Sequence, residues 1–323
     1  MSNLRLVMMG TGPFAAPMFR ALFGTRHTVV ALVTQPIRSS RGGSVPVSSM
    51  RQIALEHGTP VLDPESVNTD EVRAELARLL PDLLVVADYG QILSAETLSV
   101  SRLGGVNLHG SLLPKYRGAA PINWALYHGE TETGVTVIHM TPRVDAGPTL
   151  AQSRTPIGPD ENAVELEQRL AELGAPLVCQ AIDDLAADRI QPIVQDAALA
   201  TPARRLRKTD GAIDWSRSAQ AIKNQIRALE PWPKTYTFWH RRGGQPLRLI
   251  LGRTSVSSGD ATSPPGAVVR ADGTELVIAT GEGNLAIYEL QPAGKRMLST
   301  EEFLRGYPIK PGDRLGPESL DPH

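Results

Sequence analysis

The sequence predicts two domains: an α/β domain with a doubly wound, Rossmann-like parallel sheet, followed by a smaller OB-like β-barrel. Three observations predict it. The chain opens on a short apolar run that ends in glycine and passes into a helical stretch. Apolar runs of strand length then alternate with helix-length amphipathic stretches as far as residue 187. From residue 208 the texture changes to short alternating runs broken by Gly and Pro. A chain of 323 residues is long enough for two ordinary domains, each with a core of its own. The expected division is 1–188 for the first domain, 189–207 for a linker, 208–315 for the barrel and 316–323 for a tail.

The run LRLVMMG (4–10) is the first strand, and TGPFAAP carries the turn into a helix. Gly10 and Gly12 invite a dinucleotide reading, but the third glycine of that pattern is missing. The second strand, VVALVTQ (29–35), ends in Gln35 rather than in an acid that would hold a ribose. A nicotinamide-dependent oxidoreductase is therefore the weaker reading. Residues 36–49 lack an apolar period, are rich in Gly, Ser and Pro, and read as a surface loop. A helix over 50–57, a short strand over 58–62, a helix over 70–80 and a buried strand over 83–87 follow. Periods of this length suit parallel strands joined by crossover helices. In open α/β sheets the ligand crevice lies beyond the carboxyl ends of the strands. That rule sets the stretch DYGQIL (88–93) beside Asn107. Residues 155–160 read as a turn-rich link and 161–187 as a long amphipathic helix. Pro192, Pro202 and the basic run RRLRK (204–208) make the next stretch look like an extended tether. Ser218 is placed to cap a helix over 219–229. The runs TYTFW, LRLIL, GAVV, ELVIA and NLAIYEL then supply about five strands of a small barrel.

Composition narrows the function classes. No stretch approaches the roughly 18 apolar residues of a membrane span, and the first residues enter a strand without a signal-peptide layout. The single cysteine, Cys179, rules out an internal disulfide framework and a cysteine-rich metal site, and it reads as a buried core residue. A cytoplasmic location is expected. The net charge of −1 hides an asymmetry, because residues 201–323 carry 18 Lys and Arg against 13 Asp and Glu. A basic C-terminal part points to a polyanionic partner, although a modest excess is also what a solvated surface shows.

The stretch Asn107 to Gly147 carries the chemistry. Asn107 and His109 lie two residues apart, so in an extended segment both point to one side. A strand-like run, VTVIHM (135–140), leads to Asp145. An amide, an imidazole and a carboxylate are what acyl transfer to an amine would use. The amide donates to a carbonyl oxygen, the imidazole relays a proton or stabilises the oxyanion, and the carboxylate orients the imidazole and holds its charge. They are expected as one constellation at the carboxyl edge of the sheet. On spacing alone, an Asn-x-His near a strand end is ordinarily turn and core chemistry.

The surrounding words change that weighting. Asn107, His109 and Asp145, carried with SLLP (111–114) and RGAAP (117–121), closely resemble the active-site signature of the 10-formyltetrahydrofolate-dependent formyltransferases. The segments IDW (213–215), PWP (231–233) and QPAGKRM (291–297) extend the resemblance over nearly the whole chain, toward the branch that formylates methionyl-tRNA. The resemblance implies Asn107, His109 and Asp145 as catalytic residues. It implies folate contacts at Asp88, Tyr89, Gly90, Gln91, Ile92, Ser111, Leu112, Leu113, Pro114 and Val144. Contacts to the aminoacyl end and the tRNA are implied at Gly12, Pro13, Phe14, Arg38, Arg41, Lys208, Lys295 and Arg296. Its co-substrate would be 10-formyltetrahydrofolate, its partner initiator methionyl-tRNA, and neither a metal nor a membrane would be needed. A monomer is expected.

Three departures stand out. The relatives open Gly-Thr-Pro-Asp-Phe-Ala, whereas this chain has Gly-Thr-Gly-Pro-Phe-Ala, which changes the chemistry at Gly12 and Pro13. Their basic insertion in the first loop is represented by Arg38 and Arg41 without a lysine. Asp88 stands where they commonly have a small residue, and it either bonds the pterin amide or faces water. A UDP-amino-sugar formyltransferase and a formyltetrahydrofolate hydrolase share the catalytic signature and remain alternatives. A catalytically silent RNA-binding protein is the remote one.

Overall fold

The computed structural model describes residues 3–37, 48–241, 243–257 and 263–319. Arg38 and Arg41 lie outside the described residues. The chain forms two compact units. The first comprises Met1–Ile122, Glu132–Ile157 and Glu165–Arg204, and the second Asn123–Thr131, Gly158–Val164 and Arg205–His323.

Strands β1 (Arg5–Met9), β2 (Thr28–Val33), β3 (Val61–Leu62), β4 (Leu83–Val86) and β5 (Gly105–His109) come first. The short β6 (Arg117–Gly118), then β7 (Glu132–His139), β8 (Thr149–Pro156) and the short β9 (Pro202–Ala203) complete the first unit. Its main sheet has the order β3-β2-β1-β4-β5-β7-β8. The first five strands are parallel, and β1, β2 and β4 carry the apolar runs typical of strands covered on both faces. On one face Val7, Met9, Val33, Leu84 and Val86 pack with Leu76 and Leu98. These last two come from helices α3 (Asp70–Arg78) and α4 (Ala95–Leu98); α1 (Ala16–Leu22) and α2 (Ser49–Glu56) precede them in the chain. Helix α2 is capped by Ser48 and α3 by Thr69, each side chain accepting a backbone N–H of the first turn. Helices α5 (Pro121–Tyr127) and α6 (Ala163–Ala186) follow.

The sheet is mixed rather than wholly parallel. Strand β7 runs antiparallel to β5, with Asn107 opposite Ile138 and His109 opposite Thr136, and β8 is antiparallel to β7. The reason lies in where the chain goes after His109. Residues 110–120 stay at the end where β5 leaves the sheet instead of crossing back over a face, so the next strand enters from that end. Residues 155–156, expected in a link, finish strand β8. Cys179 is only half-buried, and burial pushes its thiol above the ordinary range.

The second unit holds helices α7 (Ala219–Ala228) and α8 (Thr300–Gly306) with strands β10 (Thr235–His240), β11 (Leu247–Leu251) and β12 (Thr254–Ser257). Strands β13 (Val268–Asp272), β14 (Glu275–Ala279), β15 (Asn284–Ile287), β16 (Glu289–Pro292), β17 (Leu298–Ser299) and β18 (Arg314–Gly316) follow. Ser218 caps α7 by accepting from the Ala221 N–H. The strands form two sheets, β17-β16-β11-β10-β18 and β12-β15-β14-β13. They join where β11 runs on into β12, and again where Val268 N donates to Asp313 O (2.8 Å) and Leu315 N to Gly266 O (2.7 Å). The enclosed core includes Trp215, Ile222, Trp239, Leu249, Leu276 and Phe303. Its two indoles are satisfied, Trp215 Nε1 donating to Thr237 Oγ1 (3.0 Å) and Trp239 Nε1 to Asp313 Oδ2 (3.2 Å). Among the described residues no helix is long and apolar enough to cross a membrane.

Candidate active site

The strand order 3-2-1-4-5 reverses direction between β1 and β4, and in such sheets ligands bind at that switch. The turn after β1 and the turn after β4 are stitched together there: Thr11 N donates to Asp88 O (3.0 Å) and Thr11 Oγ1 to Tyr89 O (3.2 Å). A Cβ on Gly12 would overlap Asp88 Oδ2, so the carboxylate lies directly over the glycine and a side chain there would have to turn it aside. This counts against the dinucleotide reading. A pyrophosphate approaching the glycine turn would meet a carboxylate.

Asp88 has solvent at its outer surface, yet its carboxyl is closely walled by protein, and that burial pushes it up from 3.8 to about 6. Burial first, and then the Asp88 charge, hold the Glu167 carboxyl above its usual range as well. Because the folded value for Asp88 exceeds the ordinary one, the folded chain keeps a proton between pH 3.8 and about 6 that the unfolded chain releases. Stability therefore declines as pH rises through that window. Asp88→Asn is expected to raise the unfolding midpoint near pH 7.5, and the gain should vanish at about pH 4. A midpoint difference that does not change between these two conditions would show that Asp88 is not desolvated.

Asn107 and His109 project from one side of β5, as their spacing requires. His109 is 6% exposed in its side chain. Its Nε2 lies 2.8 Å from Tyr116 O, and a carbonyl only accepts, so Nε2 carries the hydrogen. Nδ1 lies 3.6 Å from Asp145 Oδ2. Asn107 Nδ2 donates to Asp145 Oδ1 at 3.4 Å, and Gly118 N donates to Asp145 Oδ2 at 2.9 Å. The structure thus gathers an amide, an imidazole and a carboxylate in one place.

Asp145 reaches them by an unexpected route. Strand β7 ends opposite Val106, at the start of β5, so the loop 140–148 folds back over the face that carries Asn107 and His109. Asp145 adopts a left-handed φ of 49° in doing so. The other wall is the segment 110–120. Thr136, opposite His109, pins it: its hydroxyl donates to Ser111 O (2.6 Å) and accepts from Leu113 N (3.1 Å) and Gln152 Nε2 (3.0 Å). Gly118, at φ 128°, lies so close to β9 that a Cβ there would come 2.5 Å from Ala203 O.

The remaining expected contacts divide into two groups. Asp88, Gly90, Ile92 and Val144 offer open surface; Ile92 and Val144 are 65% and 49% exposed, large apolar side chains left uncovered in the two loops. Leu112 and Pro114 are half-buried, Pro13 is exposed and Gly12 half-buried. Other side chains are turned into the protein. Tyr89 packs in the core beneath the sheet, where burial pushes its phenol up to about 12. Gln91 serves Val67 N and Pro64 O, Ser111 donates to Lys115 O, and Phe14 and Leu113 are buried. For Tyr89, Gln91 and Ser111 only the backbone is left to meet a ligand. In the second unit Lys208 and Lys295 are exposed, whereas Arg296 is engaged with Glu302 (2.6 Å). That hydrogen bond, followed by the Ser299 N–H, holds the Glu302 carboxyl down to about 2. Among the described residues no cluster of His, Cys, Asp and Glu could hold a metal.

One contributor escaped the sequence reading. Gln195, expected in a tether, bonds to the backbone on both sides of Ala146, with Nε2 2.9 Å from Asp145 O and 2.6 Å from Gly147 O. No motif or periodicity links residue 195 to residue 145.

An amide, an imidazole and a carboxylate gathered over one strand of a doubly wound sheet are the groups that an enzyme of the acyl-transfer class can use. The sequence profile described as formyl transferase matches residues 4–182, and that of the formyl transferase C-terminal domain matches residues 205–308. The methionyl-tRNA formyltransferase of Geobacter sulfurreducens is 42% identical over 317 residues, 98% of each chain. That of Desulfotalea psychrophila is 44% identical over 308 residues, 95% of this chain and 94% of its own. Among solved structures, an N-formyltransferase from Helicobacter canadensis in complex with folinic acid and dTDP-3-aminofucose has a TM-score of 0.66. It is 16% identical, with 90% of this chain and 99% of that one covered, and so shares the fold. The chain belongs to the formyl transferase family, and within it to the methionyl-tRNA formyltransferases.

Proposed function

We propose that the protein transfers the formyl group of 10-formyltetrahydrofolate to the α-amine of methionine esterified to initiator tRNA, in the cytoplasm and as a monomer. The observation that carries this reading is the convergence of Asn107, His109 and Asp145 in a chain matched end to end by methionyl-tRNA formyltransferases. The folate would supply a formyl group already activated for transfer. Asp88, the exposed backbone at Gly90, and the uncovered side chains of Ile92 and Val144 offer two polar and two apolar contacts for its rings.

The remaining work falls to this chain's own groups. Asn107 has a second amide hydrogen beyond the one given to Asp145, and it donates to the formyl oxygen as negative charge builds there. The amine nitrogen bonds to the formyl carbon as the bond from that carbon to N10 breaks, and His109 takes the amine's proton at Nδ1, the nitrogen without a hydrogen, and passes it to the departing N10. Asp145 fixes the ring and balances its charge. Supplying labelled formyl donor with charged initiator tRNA, a UDP-amino sugar or water as acceptor tests the assignment. Label is expected on the methionyl-tRNA; transfer chiefly to the sugar or to water would replace this reading with the corresponding alternative.

Recognition of tRNA is assigned to the second unit, with Lys208 and Lys295 among its contacts. Arg296 enters with its charge already balanced by Glu302, so Lys295 is the cleaner probe. Lys295→Ala is expected to weaken tRNA binding and flatten the slope of log K against log salt by about 0.9, one phosphate contact. Folate affinity should be unchanged. A slope equal to that of the wild type would return Lys295 to ordinary solvated surface.

A further inference from the structure

We propose that Gln195 is a positioning residue that holds Asp145 in its working conformation; the inference rests on Asp145 being the acid that orients His109. All of the side chain's hydrogen-bonding capacity is in use. Its Nε2 donates to Asp145 O (2.9 Å) and Gly147 O (2.6 Å), while its Oε1 accepts from Arg117 Nε (3.1 Å) and Nη2 (2.8 Å). The next residue after Arg117 is Gly118, whose N–H holds Asp145 Oδ2 at 2.9 Å. Asp145 is therefore gripped at both ends, by its own carbonyl and by its carboxylate, and Arg117 ties the two grips into one ring of contacts.

That grip helps because Asp145 sits at φ 49°, a left-handed conformation that is uncommon for a residue with a Cβ, though less so for aspartate than for most. The chemistry also selects the residue type. Two carbonyls stand on one side and a guanidinium on the other, so the side chain must offer donors at one atom and an acceptor at its neighbour. Glutamine does both. Glutamate would serve Arg117 but face the two carbonyls with an oxygen, and leucine would serve neither.

Those two substitutions separate positioning from simple anchorage. Gln195→Glu keeps an acceptor for Arg117 and loses the donors to residues 145 and 147. It is expected to lower kcat by about ten- to a hundredfold, the scale of a misplaced catalytic group, with KM for both substrates changed by no more than about twofold. Rates are expressed per folded enzyme, from the unfolding transition of each variant. Gln195→Leu is expected to lose at least as much. A wild-type kcat in Gln195→Glu overturns the proposal, whether or not Gln195→Leu is slow, because anchoring Arg117 would then be the whole role. The double variant with Asp145→Ala supplies the second arm: Gln195→Glu should cost little more once Asp145 is gone, and fully additive losses would also overturn the proposal. Wild-type turnover in Asp145→Ala alone would instead remove the catalytic reading beneath it.

Discussion

Replacing His109 with Ala is expected to lower turnover by about 10²–10⁴-fold, the range of a lost acid–base group. Equilibrium affinity for folate and for tRNA should stay near the wild-type values. The ring's two nitrogens face Tyr116 O and Asp145 Oδ2, so it makes no direct contribution to either binding surface as assigned. Its action is confined to the step in which the amine gives up its proton, and such a loss appears in kcat rather than in KM. Removing a buried ring also takes away its hydrogen bond to Tyr116 O, at a cost of about 0.5–1.5 kcal/mol of stability. His109→Gln, which retains a donor in the same region, controls for that effect. Single-turnover formylation beside equilibrium titration of both ligands makes the measurement. Near-normal turnover in a folded His109→Ala enzyme would take the imidazole out of the mechanism.

Asp145→Asn should come close to this in size, with a fall in kcat of about 10²–10³-fold. The carboxylate accepts from Asn107 Nδ2 on one oxygen; the other accepts from Gly118 N and faces His109 Nδ1. An amide can keep only one of these oxygens. If it keeps the Gly118 contact, its NH₂ meets the NH₂ of Asn107, and Asn107 must turn its own oxygen toward it. The donor assigned to the formyl oxygen is then displaced, and the imidazole loses its counter-charge. Shape and volume hardly change, so the unfolding midpoint should move little. An Asp145→Asn enzyme with wild-type turnover would show that His109 works without a neighbouring charge.

Much of the first unit was legible because parallel strands buried on both faces are written as unbroken apolar runs, as in Leu83–Val86. The α7 boundary was legible from Ser218, and the placement of Asn107 and His109 on one side of a strand from their two-residue spacing; that they matter came from the resemblance. Strand β8, with sequence TLAQSRTP, was not. It lies at the sheet edge with half-exposed and exposed residues throughout, so it carries no apolar run. The direction of β7 was hidden for a different reason: it depends on where residues 110–131 travel, not on any residue of the strand. The amide that grips Asp145 was hidden too, because 50 residues separate Gln195 from it and neither sits in a periodic element. Side-chain roles inside a matched segment were also beyond reach. Nothing in the letters DYGQIL says that Tyr89 turns into the core while Asp88 lies over Gly12.

The pairing of β6 with β9 bears on how acceptor modules can be exchanged between enzymes of this kind. Arg117 N donates to Thr201 O and both Ala119 N and Ala120 N to Ala203 O, so residues 201–203, read in the sequence as part of a tether, back the segment whose Gly118 holds Asp145. A graft that cuts at the end of α6, at Ala186, would carry away the partner of Arg117 and the strand against which Gly118 is flattened. Such a hybrid would retain Asn107, His109 and Asp145 and is still expected to turn over poorly. A cut after Arg204, the last residue of the first unit, keeps that pairing, although Asn123–Thr131 and Gly158–Val164 of the second unit stay with the N-terminal piece.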